Sequence, residues 1–272
     1  MAKANILFLG GGNMTRAIVA GLVQNQYPVE KIGVVDRNPE KCAHFQQAWG
    51  IRAETTLTPA LTAAKIIVLA IKPQDAAPAC NLIQAHCQAH SPLIISVMAG
   101  ITVQNLAAAL GQYLAIVRAM PNTPAAIQCG ATGLFAGPHC SDLDKNQAET
   151  ILRATGIVTW LEQEDQLAAI TALSGSGPAY YFYFMEIMSE VAIKMGIPTD
   201  TARLFAAQTA YGAAKLALEA PDFAKLRAQV TSKGGSTAAA LASMQEHHLD
   251  QLIEKAMESC KNRALELAKG LA

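Results

Sequence analysis

The chain has 272 residues, which is enough for one α/β domain together with a smaller second domain. Its 21 basic and 21 acidic residues give a formal net charge of zero, which excludes the strongly basic surface that attracts nucleic acid or anionic membranes. Hydrophobic residues make up 51% and charged residues 15%, and so low a charged fraction predicts that an oligomer interface covers part of the surface.

We expect neither a membrane span nor a signal peptide. No apolar run reaches the roughly 18 to 20 residues of a membrane-spanning helix. The apolar segment at residues 5–12 is too short for a signal peptide and ends in glycines. The six cysteines form no CxxC pair, so we expect reduced thiols and a soluble, cytoplasmic protein.

The N-terminal part of the chain alternates short apolar runs with helical stretches. The continuously apolar runs, which are typical of parallel strands covered on both faces, comprise residues 5–9, 32–35, 66–71, 93–97 and 115–117. Helical stretches lie between them, for example at residues 14–24 and 40–49. This alternation predicts a doubly wound parallel sheet, which residues 132–135 and 158–161 are expected to extend.

The character of the sequence changes after residue 162. The strand signals stop, and Ala-rich stretches follow at residues 179–195, 200–218 and 249–267. Alanine is the best helix former, and small side chains allow helices to approach closely. We therefore predict an N-terminal α/β domain of residues 1–162 and an all-helical domain of residues 163–272 that carries the oligomer interface.

A glycine-rich loop follows the first predicted strand. Gly10 permits a tight turn, and Gly12 lacks a Cβ, so that the backbone can approach a pyrophosphate. The helix that begins at Asn13 and Met14 offers free N–H groups to the same anion. Strand, glycine loop and helix in this order predict a Rossmann-type dinucleotide-binding site, and an ordinary glycine-rich turn is the alternative.

The end of the second predicted strand carries conflicting cofactor signals. An acidic residue such as Asp36 normally binds the ribose 2′-hydroxyl of NAD, whereas the adjacent Arg37 is suited to the 2′-phosphate of NADP. Because both are present, the sequence predicts NADP or a mixed preference and leaves NAD open.

Other strand ends are expected to line the same site. Ligands of open α/β sheets bind at the carboxyl edge of the strands. Ala70, Lys72 and Pro73 follow one strand, Ala99 follows the next, and Asn122 follows a third. We expect these residues to contact the cofactor, with the Asn122 amide as a pairing group. A solvated Lys72 is favoured over a catalytic one.

A second loop of small residues precedes the helical stretch at residues 238–244. The loop comprises Ser232, Lys233, Gly234, Gly235, Ser236 and Thr237. Backbone N–H groups at such a helix start bind a carboxylate. A plain helix cap, in which the Ser236 or Thr237 hydroxyl serves only the helix, is an equal alternative.

Segments in this order resemble the pyrroline-5-carboxylate reductase family, and the resemblance covers essentially residues 5–267. The segments are AIKPQ at 70–74, SVMAG at 96–100, RAMPNTP at 118–124, SGSGPAY at 174–180 and VTSKGGST at 230–237. The chain departs from the family at Lys233, where Pro is common, and at Asp36, where a small polar residue is frequent.

The resemblance implies an activity and a set of roles. NADPH or NADH reduces 1-pyrroline-5-carboxylate to proline, in the last step of proline biosynthesis. The loop of residues 232–237 holds the substrate carboxylate, and Thr237 and Ser236 form the catalytic set, with the Thr237 hydroxyl at the ring nitrogen. The family also implies a homo-oligomer, at least a dimer and up to a decamer, in which this loop acts at the dimer interface.

Other functions are distinguished by particular residues. A β-hydroxyacid dehydrogenase resembles this plan but needs a lysine early in the interface helix, and the first lysine after residue 179 is Lys194. A reductase of another cyclic imine and a redox sensor without turnover stay open. His86 and His90 lie one helical turn apart without a third ligand cluster, so no metal is expected.

Overall fold

The computed structural model describes residues 3–57, 64–111 and 113–269. Packing groups the chain into two compact units, Met1–Ser176 with Cys260–Ala272 and Gly177–Ser259. The functional boundary predicted after residue 162 stays a prediction. The ends of the two predicted domains, at residues 1–2 and 270–272, lie outside the described residues.

The first unit is built on a single eight-stranded sheet. Its strands are β1 (Ile6–Leu9), β2 (Ile32–Val35), β3 (Arg52–Glu54), β4 (Ile66–Leu69), β5 (Leu93–Ser96), β6 (Ile116–Met120), β7 (Gly130–Ala136) and β8 (Gly156–Trp160). Their order across the sheet is β3-β2-β1-β4-β5-β6-β7-β8. The predicted α/β class and doubly wound sheet are confirmed.

One pairing in the sheet differs from the all-parallel prediction. β7 runs antiparallel to β6, whereas the other neighbouring strands are parallel. Between them the chain makes only a short 3₁₀ turn, Thr123–Ile127. A parallel neighbour requires a crossover of about a dozen residues or more, so this connection permits only the antiparallel arrangement.

The helices of the first unit cover both faces of the sheet. They are α1 (Asn13–Gln24), α2 (Pro39–Trp49), α3 (Ala76–His90), α4 (Val103–Leu110), α5 (Asp142–Arg153) and α6 (Gln166–Ile170). Alternate residues of β1 point to opposite faces. Phe8 therefore belongs to a core cluster with residues of α1, α2 and α5, whereas Leu7 belongs to a second cluster with residues of α3 and α4.

The strand register brings several loops to one edge of the sheet. Leu9 pairs with Val35 on one side and with Leu69 on the other, and Leu69 pairs with Ser96. The strands β1, β2, β4 and β5 therefore end at the same level. The strand order reverses beside β1, and such a reversal is where open α/β sheets bind ligands.

The second unit is helical, as predicted for the C-terminal part of the chain. It contains α7 (Gly177–Lys194), α8 (Thr199–Glu219), α9 (Phe223–Gln229), α10 (Ser236–Glu246) and the beginning of α11 (Leu249–Lys269), which continues into the first unit. α7 and α8 pack against each other. Among the described residues, none of the helices is long and apolar enough to cross a membrane.

Candidate active site

The glycine loop after β1 leaves an open anion site at the start of α1. Gly10 has a φ of +99°, and a Cβ there would lie 2.3 Å from the Ala70 carbonyl oxygen, so only glycine fits. Around Gly12, in contrast, no atom lies within 4 Å of the place of a Cβ. Gly12 precedes α1 without a side-chain cap, so the first N–H groups of the helix face a potential anionic ligand.

The loop is held in shape by hydrogen bonds to its neighbours. The Thr15 hydroxyl donates to the Gly10 carbonyl at 2.5 Å. The Gly11 N–H donates to Asp36 Oδ2 at 2.7 Å. The loop is therefore preassembled by the end of β2 and by the first turn of α1.

The Asp36 side chain is mostly buried, and both of its carboxylate oxygens accept hydrogen bonds. Its Oδ1 accepts from the Asn38 N–H at 2.9 Å, and its Oδ2 accepts from Lys41 Nζ at 3.2 Å in addition to Gly11. Burial raises the pKa of this carboxyl, but the Asn38 and Gly11 amides and Lys41 outweigh burial and hold the pKa below its usual value. Asp36 is therefore ionised at neutral pH.

Arg37 extends from the end of β2 toward the loop that follows β4. Its guanidinium donates to Asp75 Oδ1 at 2.8 Å, and its side chain is 84% exposed. Because Arg37 and Asp75 line the same cavity, this ion pair lies at the mouth of the site. An ion pair so exposed contributes little stability and is open to exchange with a ligand.

These groups surround a cleft of about 510 Å³ at the carboxyl edge of the sheet. Of the residues predicted to bind the cofactor, it brings together Gly10, Gly12, Asp36, Arg37, Ala70 and Lys72. The open space at Gly12 and the free N–H groups of α1 fit the pyrophosphate of a nicotinamide dinucleotide. The preassembled loop and the open space at Gly12 thus suit a nicotinamide dinucleotide.

The other predicted cofactor residues are not part of the lining of this cleft. Asn13 and Met14 line a separate cavity with Thr123. Pro73 begins a 3₁₀ turn immediately after Lys72. Ala99 lines a cavity of about 260 Å³ that also contains Arg118 and Glu164.

Asn122 has a structural role that the sequence did not indicate. Its Oδ1 accepts from the Ala131 N–H at 2.9 Å, and its Nδ2 donates to the Ser174 carbonyl at 3.1 Å. The side chain is thus committed to the start of β7 and to the π-helical turn Thr171–Gly175. Its pairing with a cofactor stays a prediction.

Sequence reasoning missed Lys41 and Asp75 as residues of the cleft. The sequence does contain a pattern that indicates the position of Lys41. Asn38 is the N-cap of α2, with its side chain accepting from the Glu40 and Lys41 N–H groups, and Pro39 is the first helical residue. This capping pattern places Lys41 in the first helical turn, close to the end of β2.

The predicted substrate loop belongs to the second unit. Gly234 has a φ of +72°, and Gly235 is the residue before α10, with no side chain of the described residues capping the helix. Ser236 and Thr237 are the first helical residues, and both are exposed. A Cβ at Gly235 would lie 2.5 Å from Ser232 Oγ, so a larger residue there would require the Ser232 side chain to move. The N–H groups of this turn are accessible to an anion.

Among the described residues no group of three or more His, Cys, Asp or Glu side chains is arranged to hold a metal ion. The His86 and His90 rings lie with their centroids 4.7 Å apart, and His86 Nε2 is 3.1 Å from the Ala64 carbonyl oxygen. This hydrogen-bonding distance gives His86 a structural partner within the first unit.

Comparison with known proteins assigns both parts of the chain. A family profile described as pyrroline-5-carboxylate reductase dimerisation matches residues 164–267. A second profile, described as NADP oxidoreductase coenzyme F420-dependent, matches residues 5–100. The two profiles match the helical part and the glycine-loop part of the chain respectively.

Relatives that match this chain over nearly its full length share one name. The pyrroline-5-carboxylate reductase of Haemophilus influenzae is 43% identical over 96% of this chain and 97% of its own length. The enzyme of that name from Vibrio alginolyticus is 41% identical over 99% of both chains. A solved pyrroline-5-carboxylate reductase from Coxiella burnetii superposes with a TM-score of 0.93 at 41% identity, covering 98% of this chain and 99% of the other. The chain therefore belongs to the pyrroline-5-carboxylate reductase family of oxidoreductases.

Proposed function

We propose that this chain reduces 1-pyrroline-5-carboxylate to L-proline, with a nicotinamide dinucleotide bound in the cleft beside β1 as the hydride donor. Full-length similarity to enzymes of this name supports the reaction. The observation that carries the cofactor assignment is the glycine loop, in which Gly12 is open to solvent and α1 begins without a side-chain cap. This is the arrangement that a pyrophosphate requires.

The protein's contribution to this reaction is mainly positioning. A nicotinamide cofactor held by the glycine loop and the start of α1 would supply the hydride for the C=N carbon, and the nitrogen of the protonated imine would become the secondary amine of proline. A protonated imine is already electrophilic, so a strong protein acid is not required. Holding the substrate in place supplies much of the rate gain.

The loop of residues 232–237 is the proposed site for the substrate carboxylate. Its accessible N–H groups at the start of α10 suit an anion. The Thr237 hydroxyl is proposed to accept a hydrogen bond from the N–H of the protonated imine, and it can accept from or donate to the nitrogen of the amine product. Ser236 stands beside it as the second proposed catalytic hydroxyl. The proposal assigns substrate binding to the second unit and cofactor binding to the first.

A homo-oligomer is the proposed assembly. The exposed large apolar side chains of α7 and α8 in the single chain include Tyr181, Phe182, Phe184, Leu204, Phe205 and Leu216. So much apolar surface is characteristic of an interface between subunits. Light scattering after size-exclusion chromatography separates a dimer from a decamer, and a monomer at micromolar concentration contradicts this assembly. The proposed location is the cytoplasm.

The test of function is the initial rate of cofactor oxidation at 340 nm with 1-pyrroline-5-carboxylate, with NADPH and NADH in parallel. We expect oxidation that depends on the imine. The six-membered homologue, 1-piperideine-6-carboxylate, is the control substrate and should react more slowly, because the carboxylate loop and the ring nitrogen site are fixed relative to each other. No oxidation by protein that demonstrably binds a cofactor contradicts the proposed reaction.

A further inference from the structure

Asp36, the acidic residue at the end of β2, is less exposed than Lys41, the lysine that pairs with it. The Asp36 side chain is 13% exposed, whereas that of Lys41, which donates to it, is 39% exposed. The Lys41 side chain is therefore the more accessible of the two to a ligand in the cleft. Three groups already donate to the Asp36 oxygens, the Gly11 and Asn38 amides and Lys41. The carboxylate has little remaining capacity for the ribose hydroxyls of NAD.

The charged side chains that line the cleft leave a net positive charge, which favours the binding of an anion. Asp36 pairs with Lys41, and Asp75 pairs with Arg37, so each acid of the cleft lining is neutralised by a cation. Lys72 also lines the cleft, and no ion pair of the described residues includes it. The cleft thus carries one positive charge in excess. A 2′-phosphate, which adds negative charge, suits this balance better than a 2′-hydroxyl.

Lys41 is also fixed in position by the helix that carries it. Its backbone N–H donates to Asn38 Oδ1 at 3.3 Å in the first turn of α2. The N-terminal end of this 11-residue helix adds a favourable potential for an anion. Arg37, the other candidate cation, also has an acidic partner, but its side chain is 84% exposed, compared with 39% for Lys41. Lys41 is therefore the better anchored of the two.

We propose that Lys41 is the residue that selects NADP over NAD, by neutralising Asp36 and by binding the 2′-phosphate with its ammonium group. This inference rests on the proposed nicotinamide cofactor and adds the determinant of its phosphate form. Asp36, in this arrangement, serves to hold the glycine loop and to orient Lys41.

The test measures binding without turnover. Isothermal titration with adenosine 2′,5′-bisphosphate and with 5′-AMP compares two ligands that differ only by the 2′-phosphate. For the unaltered protein the bisphosphate should bind more tightly. In Lys41→Met this advantage should fall about tenfold or more, as expected for a lost charge-assisted hydrogen bond, while 5′-AMP binding changes less than about threefold. Lys41→Arg should retain most of the advantage.

A matched control is Lys145→Met. Lys145 is 44% exposed and lies 4.0 Å from Asp142 in the first turn of α5, so it resembles Lys41 in exposure and pairing but lies outside the cleft. Its replacement should leave the binding of both ligands unchanged. Kinetics with 1-pyrroline-5-carboxylate should show the same pattern, with the NADPH to NADH ratio of kcat/KM falling about tenfold in Lys41→Met alone.

Three outcomes overturn the proposal. Equal binding of the two ligands by the unaltered protein removes the 2′-phosphate site. Equal weakening of both ligands in Lys41→Met assigns Lys41 a structural role. Loss of the phosphate advantage in Arg37→Met but not in Lys41→Met assigns the phosphate to Arg37. In each case imine-dependent oxidation of either cofactor would continue if the proposed reaction is correct, so the two failures are distinguishable.

Discussion

The guanidinium of Arg118 donates to Glu164 at a distance of 2.9 Å and thereby joins β6 to the segment before α6. The same carboxylate oxygen accepts from the Val103 N–H at 2.7 Å, so it also holds the first turn of α4. The Arg118 side chain is only 10% exposed. One carboxylate therefore connects three elements around the cavity that contains Ala99.

Glu164→Ala should destabilise the protein by about 1–3 kcal/mol, because it leaves a buried guanidinium and a helix N–H without their acceptor. Urea unfolding followed by circular dichroism measures this change. Arg263→Ala is the control, since its ion pair with Glu266 is more than 60% exposed on both sides and should contribute less than about 0.5 kcal/mol. An equal decrease in the free energy of unfolding in the two variants would show that the Glu164 contacts stabilise the protein no more than an exposed ion pair does.

Gly21→Ala should destabilise the first unit by about 1–3 kcal/mol through overpacking. A Cβ at Gly21 would lie 2.0 Å from the Ala154 carbonyl oxygen, and backbone atoms cannot move aside as a side chain can. The control is Gly50→Asn, because Gly50 has a φ of +66° in open space and asparagine tolerates this conformation. Thermal unfolding should show a lowered Tm for Gly21→Ala only, and an unchanged Tm would contradict the close approach of α1 to residue 154.

Thr237→Ala should lower kcat/KM for 1-pyrroline-5-carboxylate by about ten- to a hundredfold, because the proposed hydrogen bond to the ring nitrogen is lost. Thr237→Ser keeps the hydroxyl and should retain most of the activity. Thr150→Ala on the exposed face of α5 is the control, since its hydroxyl donates to the Asn146 carbonyl of its own helix. Steady-state kinetics at saturating cofactor checks these values, and full activity in Thr237→Ala would remove Thr237 from the site.

Asp36→Asn should cost stability at neutral pH but not in acid. The folded pKa of Asp36 is held below its model-peptide value of 3.8, so its charged form stabilises the fold above that value. This contribution is lost as the pH falls through the folded pKa. Urea midpoints for the unaltered protein and for Asp36→Asn should differ at pH 7 and converge toward pH 3. A constant difference across this range would mean that the charge of Asp36 does not stabilise the fold.

Most of the sheet could be predicted from the sequence because its central strands are buried on both faces. The strands β1, β2, β4 and β5 are buried at every position, and such strands are continuously apolar. The short edge strand β3 has the burial pattern exposed, buried, intermediate, and its sequence RAE contains no apolar run. The reversal at β7 depends on the short connection after β6 rather than on either strand's own pattern.

The bounds of the helices α3, α4 and α5 were not predicted, although the starts of two of them carry readable signals. Thr102 with Asn105, and Ser141 with Asp144, form reciprocal capping boxes at the starts of α4 and α5. α3 lacks a side-chain cap and mixes Ala with polar residues, so its periodicity is weak. The glycine loop and Asp36 stand out in the local sequence. In contrast, Asp75, which pairs with Arg37, and Ser174, one of the partners of Asn122, lie 38 and 52 residues away, so these contacts depend on the tertiary fold.

The strands β1, β2 and β4 end side by side, and this alignment should couple the local opening of the segments that follow them. Gly10, Asp36 and Ala70 follow these strands and line one cleft, although about 25 to 35 residues separate each from the next. A ligand in this cleft adds non-covalent contacts to the hydrogen bonds that already join these three segments, for example from the Ala70 N–H to the Leu9 carbonyl at 2.9 Å. Cofactor binding should therefore slow amide hydrogen exchange at all three segments together, and the protease resistance of the first unit should rise with cofactor concentration.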